Sequence, residues 1–210
     1  MQARRSSREL ALLGISQLPT GPEKLATQQI QDIMLAVVRT LANEGQESLE
    51  TAMVELQRGS DRLMGSQFRA NDLQSARAMI QEAIELTQTA INRLGIAAEF
   101  PELIQLARQE EVAAYTIEIL TEVNIHRTEI DEVLSQALVD WQVNRLPRID
   151  RDILRIAVTE LLYLGTQEQV ALNEAIELAK RYSDEDSYRF INGVLRRVLD
   201  QLKADVVVQN

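Results

Sequence analysis

The chain has 210 residues, 22 Lys and Arg against 32 Asp and Glu, a formal net charge of −10 and no cysteine. The missing cysteine excludes disulfides, thiolate metal sites and cysteine nucleophiles, and no apolar run approaches the ~18 residues of a membrane span. Only 4% aromatic residues, four prolines and eight glycines, in a composition rich in Ala, Leu, Glu, Gln and Arg, favour helix over sheet.

The acidity is unevenly placed. Residues 1–20 carry three Arg and one Glu, residues 21–146 ten basic and twenty acidic side chains, and residues 147–203 nine basic and ten acidic. Nearly all the net negative charge therefore lies in the middle. With screening over only ~8 Å at physiological salt, a polyanion is still compatible with the two ends of the chain.

The chain opens MQARRSSRELALLG. It is basic and then apolar, but Glu9 interrupts it and no small-residue cleavage site follows, so it reads as a mature amphipathic N-terminus of a cytoplasmic protein. Ser6 and Glu9 fit a capping box that starts a helix near Ser7, with Leu10, Leu13 and Leu18 inward and Pro19 and Gly21 at its end. Arg4 and Arg5 precede that cap, either as a solvated basic end or as a phosphate contact.

Pro22 marks the first turn of the next helix, whose stripe Ile30, Ile33, Met34, Val37, Val38 and Leu41 ends near Gly45. Leu49, Ala52, Met53 and Leu56 predict a shorter helix before Gly59, residues 59–71 a loop, and Leu73 to Leu94 a long helix closed by Gly95. This block carries no chemical motif and reads as a helical hairpin or coiled-coil-like insertion.

Pro101 begins the next unit. Leu103, Leu106, Ala113, Ile117 and Leu120 predict one helix, with a break near Glu110-Glu111. Thr128 caps another, with Ile130, Val133, Leu134, Leu138 and Trp141 inward; the lone Trp is read as a core anchor rather than a stacking platform. After a turn at 144–147, Asp150 caps a helix with Ile153, Leu154, Ala157, Leu161 and Leu164 on its apolar side. The last quarter is the most strongly patterned. Leu172, Ala175, Ile176 and Ala179 form one helical face, and Phe190, Ile191, Val194, Leu195, Val198 and Leu202 form a second. The acidic break Ser183 to Asp186 separates them, where the three carboxylates suit a helix N-terminus. Gly193 in the middle of the second helix costs about 1 kcal/mol relative to Ala; either close approach by another backbone or by a ligand offsets this, or the residue is an idle surface glycine. The division that follows is 1–100 (first helix and insertion), 101–203 (C-terminal bundle) and a frayed tail, 204–210.

No catalytic constellation is present. His126 is the single histidine, four residues after Glu122, and one histidine with scattered carboxylates makes no metal site. No phosphate loop or nucleophile elbow appears, and no cofactor is expected. The pattern is that of a binding protein. Asp186, Arg189 and Phe190 lie within one turn beside Gly193, a grouping that either receives a splayed nucleotide by stacking and charge or packs Phe190 into the core.

The stretch VALNEAIELAKRYSDEDSYRFINGVLRRVL closely resembles the C-terminal signature of the NusB transcription antitermination family. ARRSSRELAL resembles that family's arginine-rich first helix, and PRIDRDILRIAVTELL the helix before the signature. The resemblance covers roughly residues 3–18 and 101–200. It implies an all-α fold of two packed helical bundles, here with an additional helical insertion. It also implies binding of the boxA element of ribosomal RNA leaders together with NusE, a small-subunit ribosomal protein, and action on the RNA polymerase elongation complex. By motif, Arg4, Arg5 and Arg8 match the family's RNA-contacting arginines, Asp186, Arg189 and Phe190 its RNA surface, and Asp150 a position facing NusE. Ser16 stands where relatives often carry a tyrosine near NusE. The alternatives are an RNA-binding module of the kind attached to ribosomal RNA methyltransferases and a helical adaptor working through residues 20–100.

Overall fold

The computed structural model describes residues 2–18, 27–139 and 141–208, with side chains from residue 3 and, in the second and third stretches, over 29–139 and 141–204. The helices are α1 (Gln2–Ile15), α2 (Thr27–Phe68), α3 (Leu73–Ala107), α4 (Glu110–Ile125), α5 (Arg127–Ala137), α6 (Arg148–Leu162), α7 (Glu168–Tyr182) and α8 (Ser187–Val208), with a single 3-10 turn at Val143–Arg145. No strand occurs among the described residues, so the all-α expectation holds. The chain forms two compact units, Met1–Val37 with Ala107–Asn210, and Val38–Leu106.

In the first unit α6 is the hub, packed against α1, α4, α5, α7 and α8. From Asp152 to Glu160 every side chain is buried, as befits a helix surrounded on all sides. Ile153, Leu154, Ile156, Ala157 and Val158 supply its apolar contacts. The charges on the same helix are each matched by a neighbour. Arg155 donates to both Asp131 oxygens of α5 at 2.8 Å and to Asp152 at 3.1 Å. Burial pushes the Asp152 carboxyl above its ordinary range even beside Arg155.

Three cap expectations are corrected here, the simplest being Thr128, which is the second residue of α5, whose N-cap position is His126. α1 begins at Gln2, not near Ser7, so Ser6 lies within the helix and is no N-cap; the next residue, Ser7, turns its hydroxyl inward to the carbonyls of Ala3 and Val112, both at 3.0 Å. Glu9, the other half of the expected capping box, instead receives Arg181 Nη1 at 2.9 Å. Asp150 is the third residue of α6, whose N-cap position is Pro147. Its carboxylate accepts the hydroxyls of Ser183 and Ser187 and so ties the start of α6 to the α7–α8 turn. The amphipathic readings of α7 and α8 hold, with Leu172, Ala175, Ala179, Ile191, Val194, Leu195 and Val198 buried. The acidic break lies immediately before α8, as expected of a helix N-terminus, and turns there with Ser187 N–H donating to the Asp184 carbonyl.

The second unit is an antiparallel pair formed by α2 and α3, and it differs from the sequence expectation in its punctuation. α2 runs unbroken through Gly45, Gly59 and Gly65 over the stretch expected to be a loop, and α3 runs through Gly95 and Pro101. The glycines on α2 are contact points. A Cβ at Gly45 would stand 3.2 Å from the Phe100 ring, and one at Gly59 3.2 Å from the Ala83 carbonyl oxygen. Bare backbone there lets two helices approach closely, with Ala52, Ala83, Ala90 and Ala97 as the other buried small residues along the seam. Arg93 Nε donates to both oxygens of Glu55 at 3.0 Å, and Arg62 pairs with Glu82 at 3.0 Å. The expected Pro22 helix start lies outside the described residues.

Candidate nucleic-acid interface

Three helix ends of the first unit meet where the sequence placed its candidates: the start of α1, the end of α7 and the start of α8. Arg4 and Arg5 are exposed on the first turns of α1. The Arg4 guanidinium lies 4.8 Å above the Tyr115 ring, a cation–π contact that orders it while leaving its donors outward. Arg5 lies 3.6 Å from Glu174 and 3.4 Å from Glu177. Glu177 also accepts Lys180 Nζ at 2.8 Å, and that bond, with the nearby charges, holds its carboxyl below the ordinary range.

From Lys180 the arrangement passes to α8. The ammonium stands 5.8 Å from the Tyr188 ring, and Arg189 stands 5.5 Å from the same ring. Arg189 Nε donates to the Tyr188 hydroxyl at 3.0 Å and Nη1 pairs with Asp186 at 3.1 Å. Arg4, Arg5, Lys180, Arg181, Tyr188 and Arg189 thus make a strip of cations and an aromatic ring. Arg5, Lys180 and Arg181 flank a groove of about 270 Å³ with Glu9 and Glu177. Such a strip matches a backbone-tracking surface for single-stranded nucleic acid, with charge for phosphates and rings for bases. Glu177 holds Arg5 and Lys180 in place, and Asp186 holds Arg189.

Phe190 is half-buried one turn along α8. Its ring makes an edge contact with Trp141, centroids 6.4 Å apart at 64°. Trp141 is 54% exposed, which corrects its assignment as a core anchor: α5 ends at Ala137, so helical spacing no longer governs position 141. Gly193 meets no helix. A Cβ there would find only Arg197 Nη1, at 3.9 Å, so the expectation that another helix packs on this glycine fails and only a side chain of α8 itself lies over the backbone.

Arg8 and Asp150 are placed differently from the other candidates. Arg8 is 2% exposed. Its Nε donates to both oxygens of Glu160 at 2.9 Å, and Tyr115 donates its hydroxyl to the same carboxylate. Burial opposes the Arg8 charge, but Glu160 outweighs it and raises the guanidinium above its ordinary value. This pair locks α1 to α6 and α4. Asp150, 3% exposed, is likewise spent on Ser183 and Ser187. Ser16 is exposed and gives its hydroxyl to the Leu13 carbonyl, while its own carbonyl receives Arg148 Nη2 at 2.7 Å. That bond joins the end of α1 to the start of α6.

Sequence reasoning missed Lys180, Arg181 and Tyr188. The available signal was the basic pair in the last turn of α7, separated from Tyr188 by only the acidic turn. His126 sits between α4 and α5, as a capping histidine should. It stacks on Tyr163 at 3.9 Å and lies 3.4 Å from Glu122 and 3.0 Å from Glu129. Among the described residues no group of three or more His, Cys, Asp or Glu could hold a metal ion, and no helix is long and apolar enough to cross a membrane.

The profile of the NusB family matches residues 73–200. The transcription antitermination protein NusB of Trichodesmium erythraeum is 59% identical over 199 residues, covering 95% of this chain and 96% of that protein. The protein of the same name from Microcystis aeruginosa is 56% identical over 96% and 93%, and that from Trichormus variabilis is 59% identical over 94% of each. The solved structure of T. maritima NusB aligns over 72% of this chain and 89% of its own, with 24% identity and a TM-score of 0.42. The relatives' alignments, at this length, take in most of the α2–α3 pair.

Proposed function

Because the chain belongs to the NusB family, we propose that it is a transcription antitermination factor that binds boxA-type RNA of ribosomal leaders, jointly with the ribosomal protein NusE, and acts on the RNA polymerase elongation complex. The observation that carries this reading is the strip running from Arg4 and Arg5 through Lys180 to Tyr188 and Arg189, continued by the Phe190–Trp141 pair. In it Arg4, Arg5 and Arg189 meet phosphates, Asp186 orients Arg189, and Phe190 stacks a base. Arg8 is a positioning residue, fixing the α1 backbone that aims Arg4 and Arg5. The NusE surface lies where Ser16 and Arg148 join α1 to α6, and Asp150 shapes it from beneath. Near full-length likeness to proteins named for antitermination favours this reading over a module attached to a methyltransferase.

Fluorescence anisotropy with a labelled boxA-type RNA and a scrambled control, with and without NusE, tests it. The boxA-type RNA binds more tightly than the control, and NusE tightens it further. Equal affinities in all four arms would sink the proposal. Arg4→Ala with Arg5→Ala weakens binding and flattens its salt dependence by about 0.7 for each phosphate the variant no longer neutralises. An unchanged slope would remove these two residues from the interface.

A further inference from the structure

The α2–α3 pair has two kinds of row. The seam row carries small residues at seven-residue spacing, Gly45, Ala52 and Gly59 on α2 with Ala83, Ala90 and Ala97 on α3. A second row of large apolar residues accompanies it, Leu49, Met53, Leu56 and Leu63 on α2 with Ile80, Ile84, Ile91 and Leu94 on α3. On both helices the large row is displaced from the seam by one or four residues forward, the same rotational sense. Because the helices are antiparallel, equal rotation brings both large rows onto one face. These eight side chains are 39% to 71% exposed.

The charges avoid that face. Residues 38–106 contain ten carboxylates, and none falls in the large rows or at the positions continuing them, where Ser60, Gln67, Thr87 and Ala98 stand with Arg77 as the sole charge. The ion pairs Glu55–Arg93 and Arg62–Glu82 lie on the other flank of the seam and are satisfied within the pair. A face with one charge offers nothing to an RNA backbone or to a strongly basic or acidic protein. Its rows of Leu, Ile and Met do match themselves.

We propose that this face binds a second copy of the chain about a two-fold axis, converting two helical pairs into a four-helix bundle. Two-fold contacts are self-complementary by construction, and period-seven apolar rows are the pattern such bundles pack. Eight large side chains about half exposed release on the order of 700 Å² per copy, close to the ~800 Å² per partner of a standard stable interface. A smaller apolar peptide leaves part of the row uncovered; a second copy covers it end to end.

The test is the mass of the full-length chain in RNA-free buffer, by light scattering after gel filtration, at about 1 to 50 µM, where an interface of this size is occupied. The native chain elutes at twice 23.7 kDa. Leu56→Glu with Ile84→Glu falls to the single-chain mass, with its helical circular dichroism and boxA-type RNA affinity retained. Val54→Glu, a control on the far side of α2, keeps the doubled mass. A native chain of single mass throughout the range would overturn the proposal. So would a doubled mass in the Leu56/Ile84 variant, or equal dissociation by Val54→Glu.

Discussion

Replacing Gly193 with Ala separates the two explanations for a glycine in the middle of α8. The residue is the seventh of a 22-residue helix, and the new Cβ would meet only Arg197 Nη1 at 3.9 Å, ordinary van der Waals contact. Nothing in the fold then opposes the substitution, and the helix gains the propensity difference of about 0.8–1.0 kcal/mol. For a chain of this size that raises the melting temperature by roughly 2–4 °C. Circular dichroism during urea and thermal unfolding reads the gain. If the bare backbone exists so that RNA can approach between Phe190 and Arg197, the same methyl weakens boxA-type RNA binding at least tenfold, or about 1.4 kcal/mol. A variant that is more stable and binds less well is the expected pair of results. Destabilisation by about 1 kcal/mol or more would refute the reading that no other helix packs there, and undiminished affinity would take Gly193 out of the RNA path.

Four other outcomes follow from particular side chains. Glu160→Gln leaves the buried Arg8 cation with only Glu174, 3.6 Å from Nη1, and costs about 3 kcal/mol, whereas Tyr115→Phe, losing one charged hydrogen bond, costs about 1.5–3 kcal/mol. Urea midpoints check both, and an apolar replacement of Arg8 and Glu160 together recovers most of the loss. Trp141 is the single Trp and touches Phe190, so boxA-type RNA changes its emission, and Phe190→Ala abolishes most of that change. Glu129 is held below the ordinary carboxylate range by the Tyr163 hydroxyl and by His126. A depressed pKa gives stability that is complete above the unfolded value and is lost as pH falls through the folded one; Glu129→Gln therefore flattens the acid branch of the urea midpoint. Burial and Glu129 push the Tyr163 phenol up to about 12. Its neutral-state contribution persists below the ordinary tyrosine range and disappears as pH rises through that value; burial and Glu160 raise the Tyr115 phenol as well, so Tyr163→Phe reduces the late step in phenolate absorbance.

The amphipathic periods of α7 and α8 and the acidic turn between them were readable because each is a local pattern whose buried face the tertiary fold keeps. Position 141 was not, since a helical period was extended past the end of α5. Gly45 and Gly59 misled for a different reason. Glycine signals a break when it is considered alone, but each of these faces Phe100 or Ala83 across a close helix contact, and packing of that kind overrides propensity. Ser6 to Glu9 has the spelling of a capping box. Glu9 instead serves Arg181, and Ser7 beside the expected cap serves Val112, both partners more than a hundred residues away. The inward turn of Arg8 was invisible for the same reason, since nothing adjacent in sequence announces Glu160. Arg4 and Arg5 were legible as exposed cations. The Lys180–Tyr188 link that carries the strip onto α8 needed the fold.

The approach of Gly45 to Phe100 has a consequence for chain entropy. A first unit assembled from residues before 38 and after 106 must close a long connection, and a disordered one costs more the longer it is. Going from a loop of about five residues to one of about seventy adds roughly 2 kcal/mol. A paired helix out and a paired helix back return the chain to within one side chain of where it left, so the first unit sees a short connection although the sequence between is long. Shortening the pair from its far end, in register and with a turn of the same kind, should leave the stability of the first unit nearly unchanged.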